Sequence, residues 1–466
     1  MKILEEPAAG LIGADAARRL LEAVLRLSPA DETEAVLDST NAALTRFAHN
    51  AIHQSVSDRD TSLEVRAVFG RRVGSASTND LSAAGLERAV AGACLLALHG
   101  GEDPDWPGLT TVEESQLSQA LAPVNARSYD ERVASMSPEA RAMTVAAICR
   151  TAGARGLLAS GAFGSQAGTF ALLNSRGLFA YSASTEVDLS FVVEQPAERA
   201  SAFGHAAGWQ LEQIDAESLA EETARRANDS RRPRVALPGT YPVVLEPYAV
   251  ASLLEALAEA GMGALAVQEE RSWMNGRLGQ RCLSPLVTIV DDAHDLRGVP
   301  QAFDSEGVAK QRVAIVEAGV PLTPVYDRLT ASREKGRAST GHAQPFDEED
   351  WDGPLPENLA MEAGQASVDE LIAGIERGLY ITRFWYVNLL APQDCTVTGT
   401  TRDGVWWIED GRLAYPVENL RFDQSLVEAL AGVRGLGRAM RTVAGYFGGT
   451  YRVPPMALDS FRFIAP

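Results

Sequence analysis

Histidine is the residue type that most readily supplies a metal ligand or a proton carrier, and the chain holds six: His49, His53, His99, His205, His294 and His342. Only His49 and His53 are close. On a helix an i, i+4 pair can share a zinc ion. These two stand in RFAHNAIHQSV, between strand-like runs, and an extended chain holds such side chains about 13 Å apart. They read as structural. Neither HExxH nor HExxxH occurs. Among serines, no GxSxG elbow is present. Ser332-Arg-Glu-Lys335 fits SxxK, but without SDN or KTG it reads as a polar loop. A cysteine–histidine nucleophile forms only in space, and no local signature marks one. No GxGxxG or GxxxxGK[ST] phosphate loop is present, and Gly432–Gly437 (GVRGLG) reads as a helix-interrupting glycine cluster. Taken alone, the residues indicate no nucleotide cofactor and no catalytic apparatus.

The elements that position these residues are mixed. Residues 14–27 space leucine and valine as an amphipathic helix. Runs at 33–39, 43–48, 61–69 and 72–78 read as strands, with a hairpin at Gly70. Asp80 is expected to cap a helix over 82–98, and a further helix covers 137–152. From 155 to 194 short apolar runs alternate with small polar residues, turning at Asn174–Gly177, as in an antiparallel meander. A helix at 215–228 follows. The polar, proline-containing stretch 229–240 reads as a domain boundary. Beyond it come the strand YPVVLEP, a helix ending at Gly261, and a strand-rich remainder: LVTIVDD, RVAIVEAG, CTVTGTT, GVWWIEDG and RLAYPVENL. The segment 345–358 has five acids within seven residues and reads as a solvated loop. The expected fold class is α+β: a mixed helix and antiparallel-sheet domain over 1–232, then a strand-rich domain over 233–466.

Composition bounds the function. The 466 residues include 42 basic and 62 acidic side chains, a net charge of −20. Lysine occurs only at positions 2, 310 and 335, and the arginines are dispersed. This argues against nucleic acid as a partner and against an anionic membrane surface. Cys94, Cys149, Cys282 and Cys395 are far apart, with no CxxC pair, which suits a reducing compartment. MKILEEPAAG lacks the apolar core of a signal peptide, and no apolar run approaches the roughly 18 residues of a membrane span. The expectation is a soluble cytoplasmic protein.

Several blocks together resemble the TldD/PmbA family of metalloprotease components, also called modulators of DNA gyrase. They are LTRFAHNAIHQ with LEVRAVFGRRVGSASTNDLSAAGLERAV; VTIVDDAHDLRGVPQAFDSEGVAKQRVAIVEAGVPL, which contains Phe303-Asp304-Ser305-Glu306-Gly307; Ser339-Thr340-Gly341-His342; and GVWWIEDGRLAYPVENL. The resemblance runs from about residue 33 to the end. It implies two branches: a TldD-like branch with HExxxH on a helix and a metal-binding cysteine near the C-terminus, and a TldE (PmbA) branch that lacks both and pairs with TldD. The corresponding helix here is Ser252–Ala260, which has no histidine, and GGTYRVPPM replaces the cysteine-bearing stretch. Cys395 lies in a different block and takes no ligand role.

The resemblance therefore implies a non-catalytic TldE-like subunit of a heterodimeric zinc peptidase acting on unfolded or extended peptides. Zinc is expected in the TldD-like HExxxH partner and not in this chain; the isolated chain is expected to pair with itself through its C-terminal half. Asp304, Glu306, Gly307, Thr340, Gly341 and His342 are expected at the subunit interface or the wall of the peptide channel. Two alternatives stay open: a stand-alone homodimeric hydrolase using a cluster such as Asp291, Asp292, Asp304, Glu306 and His342, and a peptide-binding module without a protease partner.

Overall fold

The computed structural model describes residues 10–117, 128–345, 353–446 and 448–465. The first sheet holds six antiparallel strands: β1 (Glu32–Ala48), β2 (Ala51–Phe69), β3 (Arg72–Thr78), β4 (Leu158–Asn174), β5 (Phe179–Gln195) and β6 (Ala200–Gly208), in the order β3-β2-β1-β4-β5-β6. Its longer helices are α1 (Ala14–Leu27), α2 (Ala83–His99), α3 (Pro138–Gly153) and α4 (Ala216–Asp229). Alternation along each strand sorts its side chains to two faces. On β4, Ala171 joins the core beneath α1 and α2, while Leu172 faces Phe303 and Ala309 of the second half.

Details depart from the sequence expectations. The runs at 33–39 and 43–48 are one strand, because polar Asn41 sits in a ladder that stays paired on both sides. His49 and Asn50 form the β1–β2 turn with positive φ, and His53 is exposed on β2. The cap of α2 is Ser82, whose hydroxyl accepts from Gly85 N–H; Asp80 instead accepts from Ser82 N–H and pairs with Arg88. A side chain two residues before the cap reaches the cap's own amide rather than the helix's first turn.

After β7 (Gly239–Leu245) and α5 (Pro247–Glu259) come β8 (Ile289–Asp291), β9 (Val313–Glu317), β10 (Val320–Pro321), β11 (Asn358–Met361), β12 (Arg377–Ala391), β13 (Thr396–Glu409), β14 (Arg412–Pro416), β15 (Arg421–Ser425), β16 (Val433–Leu436), β17 (Arg441–Ala444), β18 (Thr450–Val453) and β19 (Met456–Ile464). The second sheet runs β10-β9-β8-β11-β18-β17. The third runs β12-β7-β19-β15-β13-β14, and because β12 also pairs β13, five strands close into a barrel. Phe384, Phe422 and Phe461 fill it, with ring centroids 4.7–5.4 Å apart. CTVTGTT and GVWWIEDG are one strand, β13, bent where Asp403 and Gly404 take positive φ. Residues 346–352, most of the acidic segment, lie outside the described residues, as do residues 1–9. Gly353, Pro354, Pro356 and Asn358 are buried, so the end of that segment is packed rather than solvated. Among the described residues no helix is long and apolar enough to cross a membrane.

Candidate functional site

The helix that the resemblance singles out is α5. Proline at its first turn presets φ and has no N–H to leave unmatched, and the alanine- and leucine-rich body favours helix. Pro247 to Ala251 and Leu253 to Ala258 are buried. An all-round buried helix is apolar on every face. α5 packs against β12 on one side and β17 and β18 on the other.

One stretch of α5 carries carboxylates. Glu255 is 9% exposed and Glu259 stands one turn on. Gly445 lies against Glu255: a Cβ there would come 2.6 Å from its Oε1 and 2.6 Å from the Tyr451 ring. Glycine is required by that closeness. Burial raises the Tyr451 phenol, and the facing charges of Glu255 and Glu259 raise it further. Cys395 approaches from the barrel, its thiol donating to Ala256 C=O at 3.5 Å, and burial pushes that thiol up. A hydrolytic zinc takes three protein ligands and keeps a position open for water. The donors here are two carboxylates, a phenol held protonated and a thiol held protonated, with no imidazole. Among the described residues no group of three or more His, Cys, Asp or Glu could hold a metal ion. The residues present do not fit a catalytic zinc.

Phe303–Gly307 and Ser339–His342 come together in one knot. Asp304 Oδ1 accepts from the N–H groups of Glu306 and Val308, and Oδ2 accepts from Ala343 N–H. Glu306 Oε2 accepts from Arg328 N–H. Thr340 Oγ1 accepts from Tyr326 N–H and lies 2.9 Å from His342 Nδ1. His342 Nε2 donates to Asp291 Oδ1 at 3.0 Å, and Asp291 Oδ2 accepts from Asn358 N–H. Gly307 and Gly341 turn the chain at φ +74 and +75. Asp304, Gly307, Gly341 and His342 are buried; Glu306 and Thr340 are half-buried. Phe303 and Ala309 dock this knot on Leu172 and Leu178 of the first sheet.

Burial raises both Asp304 and Glu306. Three amide donors with Lys310 and His342 keep Asp304 at about 6, whereas the neighbouring charges of Asp304 and Asp327 help push Glu306 to about 8. Burial alone would also raise Asp291, but the His342 hydrogen bond and charge outweigh it and hold that carboxyl low. Buried Lys310 stays charged through Glu357, whose carboxylate it meets at 2.7 Å. Asp292 sits apart, toward Arg312. The knot's groups are spent on one another.

Sequence reasoning missed a second network, which ties α4 to the barrel. Arg226 makes two hydrogen bonds to Glu246, which also accepts from Tyr380 O–H. Glu222 receives Arg226 and Arg441, and Arg441 reaches Tyr248 O–H, which donates to His205 C=O. Only the i, i+4 pair Glu222–Arg226 was visible as a spacing; the other members meet across strands and helices far apart in the chain.

Three family models match the chain: PmbA/TldA metallopeptidase domain 1 over residues 34–97, the central domain over 109–231 and the C-terminal domain over 238–465. Metalloprotease PmbA of Escherichia coli O157:H7 is 24% identical over 471 residues, spanning 95% of this chain and 97% of that one. A metalloprotease TldD homolog of Haemophilus influenzae is 28% identical over 228 residues, 48% of this chain and 46% of that one. The solved structure of TldE from Thermococcus kodakarensis superposes with a TM-score of 0.83 at 18% identity, covering 96% of this chain and 99% of that chain. A Thermotoga maritima protein described as a modulator of a DNA gyrase gives 0.81 at 19% identity, with 93% and 96% covered. These likenesses to solved structures establish the shared fold, and the family models, reaching from residue 34 to 465, establish that the chain belongs to the PmbA/TldD metallopeptidase family.

Proposed function

We propose that this chain is the non-catalytic, TldE-like subunit of a heterodimeric zinc metallopeptidase that cleaves unfolded or extended peptides. The observation that carries the reading is the donor set around α5: aliphatic residues, two carboxylates and a glycine-tight loop, with no imidazole to complete a zinc site. Alanine and leucine neither bind metal nor move a proton. In this reading the zinc and the nucleophilic water belong to an HExxxH partner, and this chain supplies walls and stability to the peptide channel. The knot of Asp304, Gly307, Gly341 and His342 acts by holding backbone, and its half-buried members, Glu306 and Thr340, are the ones placed to border peptide or partner. The alternative hydrolase cluster draws no support from the geometry, since Asp304 and His342 are already committed to internal partners.

The test is co-expression with an HExxxH paralogue, followed by metal analysis of each subunit and a peptidase assay on an unfolded protein. The expected result is one zinc per heterodimer, lost when the partner's histidines are replaced, and activity that requires both chains. Chelator-sensitive peptide hydrolysis by this chain alone would refute the reading.

A further inference from the structure

Where the two halves of the chain meet beside α4, a cleft of about 920 Å³ opens, at the upper end of the range of ligand pockets. Two sheet edges border it. β6 ends the first sheet and brings His205, Ala206 and Ala207; β17 ends the second and brings Arg441 and Thr442. An end strand keeps a row of N–H and C=O groups outside the ladder, and extended peptides dock by adding to such edges. On β6 the N–H and C=O of His205 are already bonded to the Tyr248 hydroxyl, so β17 is the edge the cleft offers.

Four arginines line the same space: Arg297, Arg438, Arg441 and Arg452. The carboxylates near them are shared. Asp295 serves both Arg297 and Arg452, and Glu222 serves both Arg441 and Arg226. Glu370 meets Arg438 at only 3.4 Å on open surface. Asp215, also on the wall, accepts Ser218 N–H as the cap of α4. Arg452, whose side chain is 16% exposed, directs its other nitrogen at the Met440 sulfur, 3.0 Å away, and a thioether is a weak acceptor. The His205 ring borders the cleft, nine-tenths buried; its Nε2 meets Asp188 while Nδ1 has no hydrogen-bond partner. Charge-assisted donors are therefore left unspent in one groove of a chain whose net charge is −20.

We propose that this cleft binds an extended acidic peptide segment, its backbone along the β17 edge and its carboxylates on the arginines. The planar guanidinium fork matches a carboxylate with two N–H donors, and a strand edge with a charged rim suits a main chain bearing several acids better than a compact anion. The inference deepens the proposed function by naming a substrate class, and rests on that reading for its meaning in proteolysis, not for the binding itself.

The test uses the full chain alone. Fluorescein-labelled short peptides alternating Glu with Ser, and the same peptides with Gln for Glu, are titrated by anisotropy at low and high salt, with inorganic phosphate as competitor. The expected result is saturable binding of the Glu peptide, about tenfold or more tighter than the Gln peptide, weakened by salt and lost in the double variant Arg297→Ala/Arg438→Ala. Both residues are mostly exposed and outside the core, so the fold survives their removal; circular dichroism confirms it. Glu and Gln peptides binding alike, phosphate displacing the peptide at equal charge, or the double variant retaining full affinity would overturn the proposal. Peptidase activity of the heterodimer is measured separately, so loss of acidic-peptide binding with retained activity would strike only this inference, while hydrolysis by the lone chain would strike only the proposed function.

Discussion

Asp304 offers the sharpest test of the knot that joins the two halves. Its carboxylate accepts three backbone N–H groups, from Glu306, Val308 and Ala343, at 2.9–3.0 Å, and it is 4% exposed. Asp304→Ala strands all three donors in a place water does not reach. Each orphaned buried donor costs about 1–3 kcal/mol, and some relax toward other acceptors, so the expected loss is roughly 3–6 kcal/mol. Asp304→Asn keeps Oδ1 for Glu306 and Val308 but sets an amide against Ala343 N–H, which predicts a loss of about 1–3 kcal/mol. A chain of this size does not unfold in one step, so local opening is the quantity to read. Hydrogen exchange followed over 304–310 and 339–344 is expected to accelerate by about 10²–10⁴-fold in the alanine variant and by about 10–10²-fold in the asparagine variant. Exchange in the barrel strand β7, buried at Val243–Leu245, is expected to stay unchanged. Equal effects of the two variants, or acceleration spread evenly over the chain, would refute the reasoning, because only the amide-counting argument separates them. Under the proposed pairing with an HExxxH subunit, the alanine variant is expected to shift the titration against that subunit rightward, with excess variant restoring much of the activity.

Other consequences follow from burial and pairing. Glu306 holds its proton up to about pH 8 in the folded chain, against an ordinary value of 4.5; the folded state thus binds more protons than the unfolded, and stability is expected to fall as pH rises between those values. Glu306→Gln should flatten that slope and exceed the wild type in denaturant midpoint near pH 8. Glu246→Ala leaves Arg226 and Tyr380 without their shared acceptor, for an expected loss of roughly 3–5 kcal/mol, read by thermal melting. Cys395, fully buried with its thiol pushed up, is expected to react with a thiol reagent only on unfolding, while half-buried Cys282 reacts first in the native chain.

Local signals carried well into the structure. Apolar periodicity placed α1 at 14–27 to the residue, and the chain turns at Gly70 and Gly177, both at positive φ, with Asn174 Oδ1 accepting from Arg176 and Leu178 N–H. What escaped is what the chain makes at a distance. The β12–β13 pairing that closes the barrel joins residues in one late hairpin, yet closure needs β7, more than 130 positions earlier, on the other flank of β12. The Arg226–Glu246–Tyr380 group meets through α4, the start of α5 and β12, with no spacing to announce it. The tail of the acidic segment looked solvated because charge and proline dominate its composition, whereas Gly353 is pressed against Leu265 and the Pro354 carbonyl against Gly263. The knot was legible as a pair of motifs but not as an internal one: sequence shows that Asp304 and His342 are polar, not that both are already bonded to internal partners.

That distinction between residue type and commitment also explains why α5 persists as a helix without zinc ligands. It is a spine on which the barrel and the second sheet both rest, so its volume and direction are fixed by packing whatever chemistry it carries. Interiors are close-packed, and a buried imidazole without a metal or an acid would leave its nitrogens unmatched. Leucine and alanine remove that cost and fill the space, and Gly445 lets the neighbouring loop close onto Glu255 where a larger residue could not. Histidine placed on the buried face of this helix is therefore expected to disturb packing before it builds a site. The displaced core contacts would be felt first as lost stability.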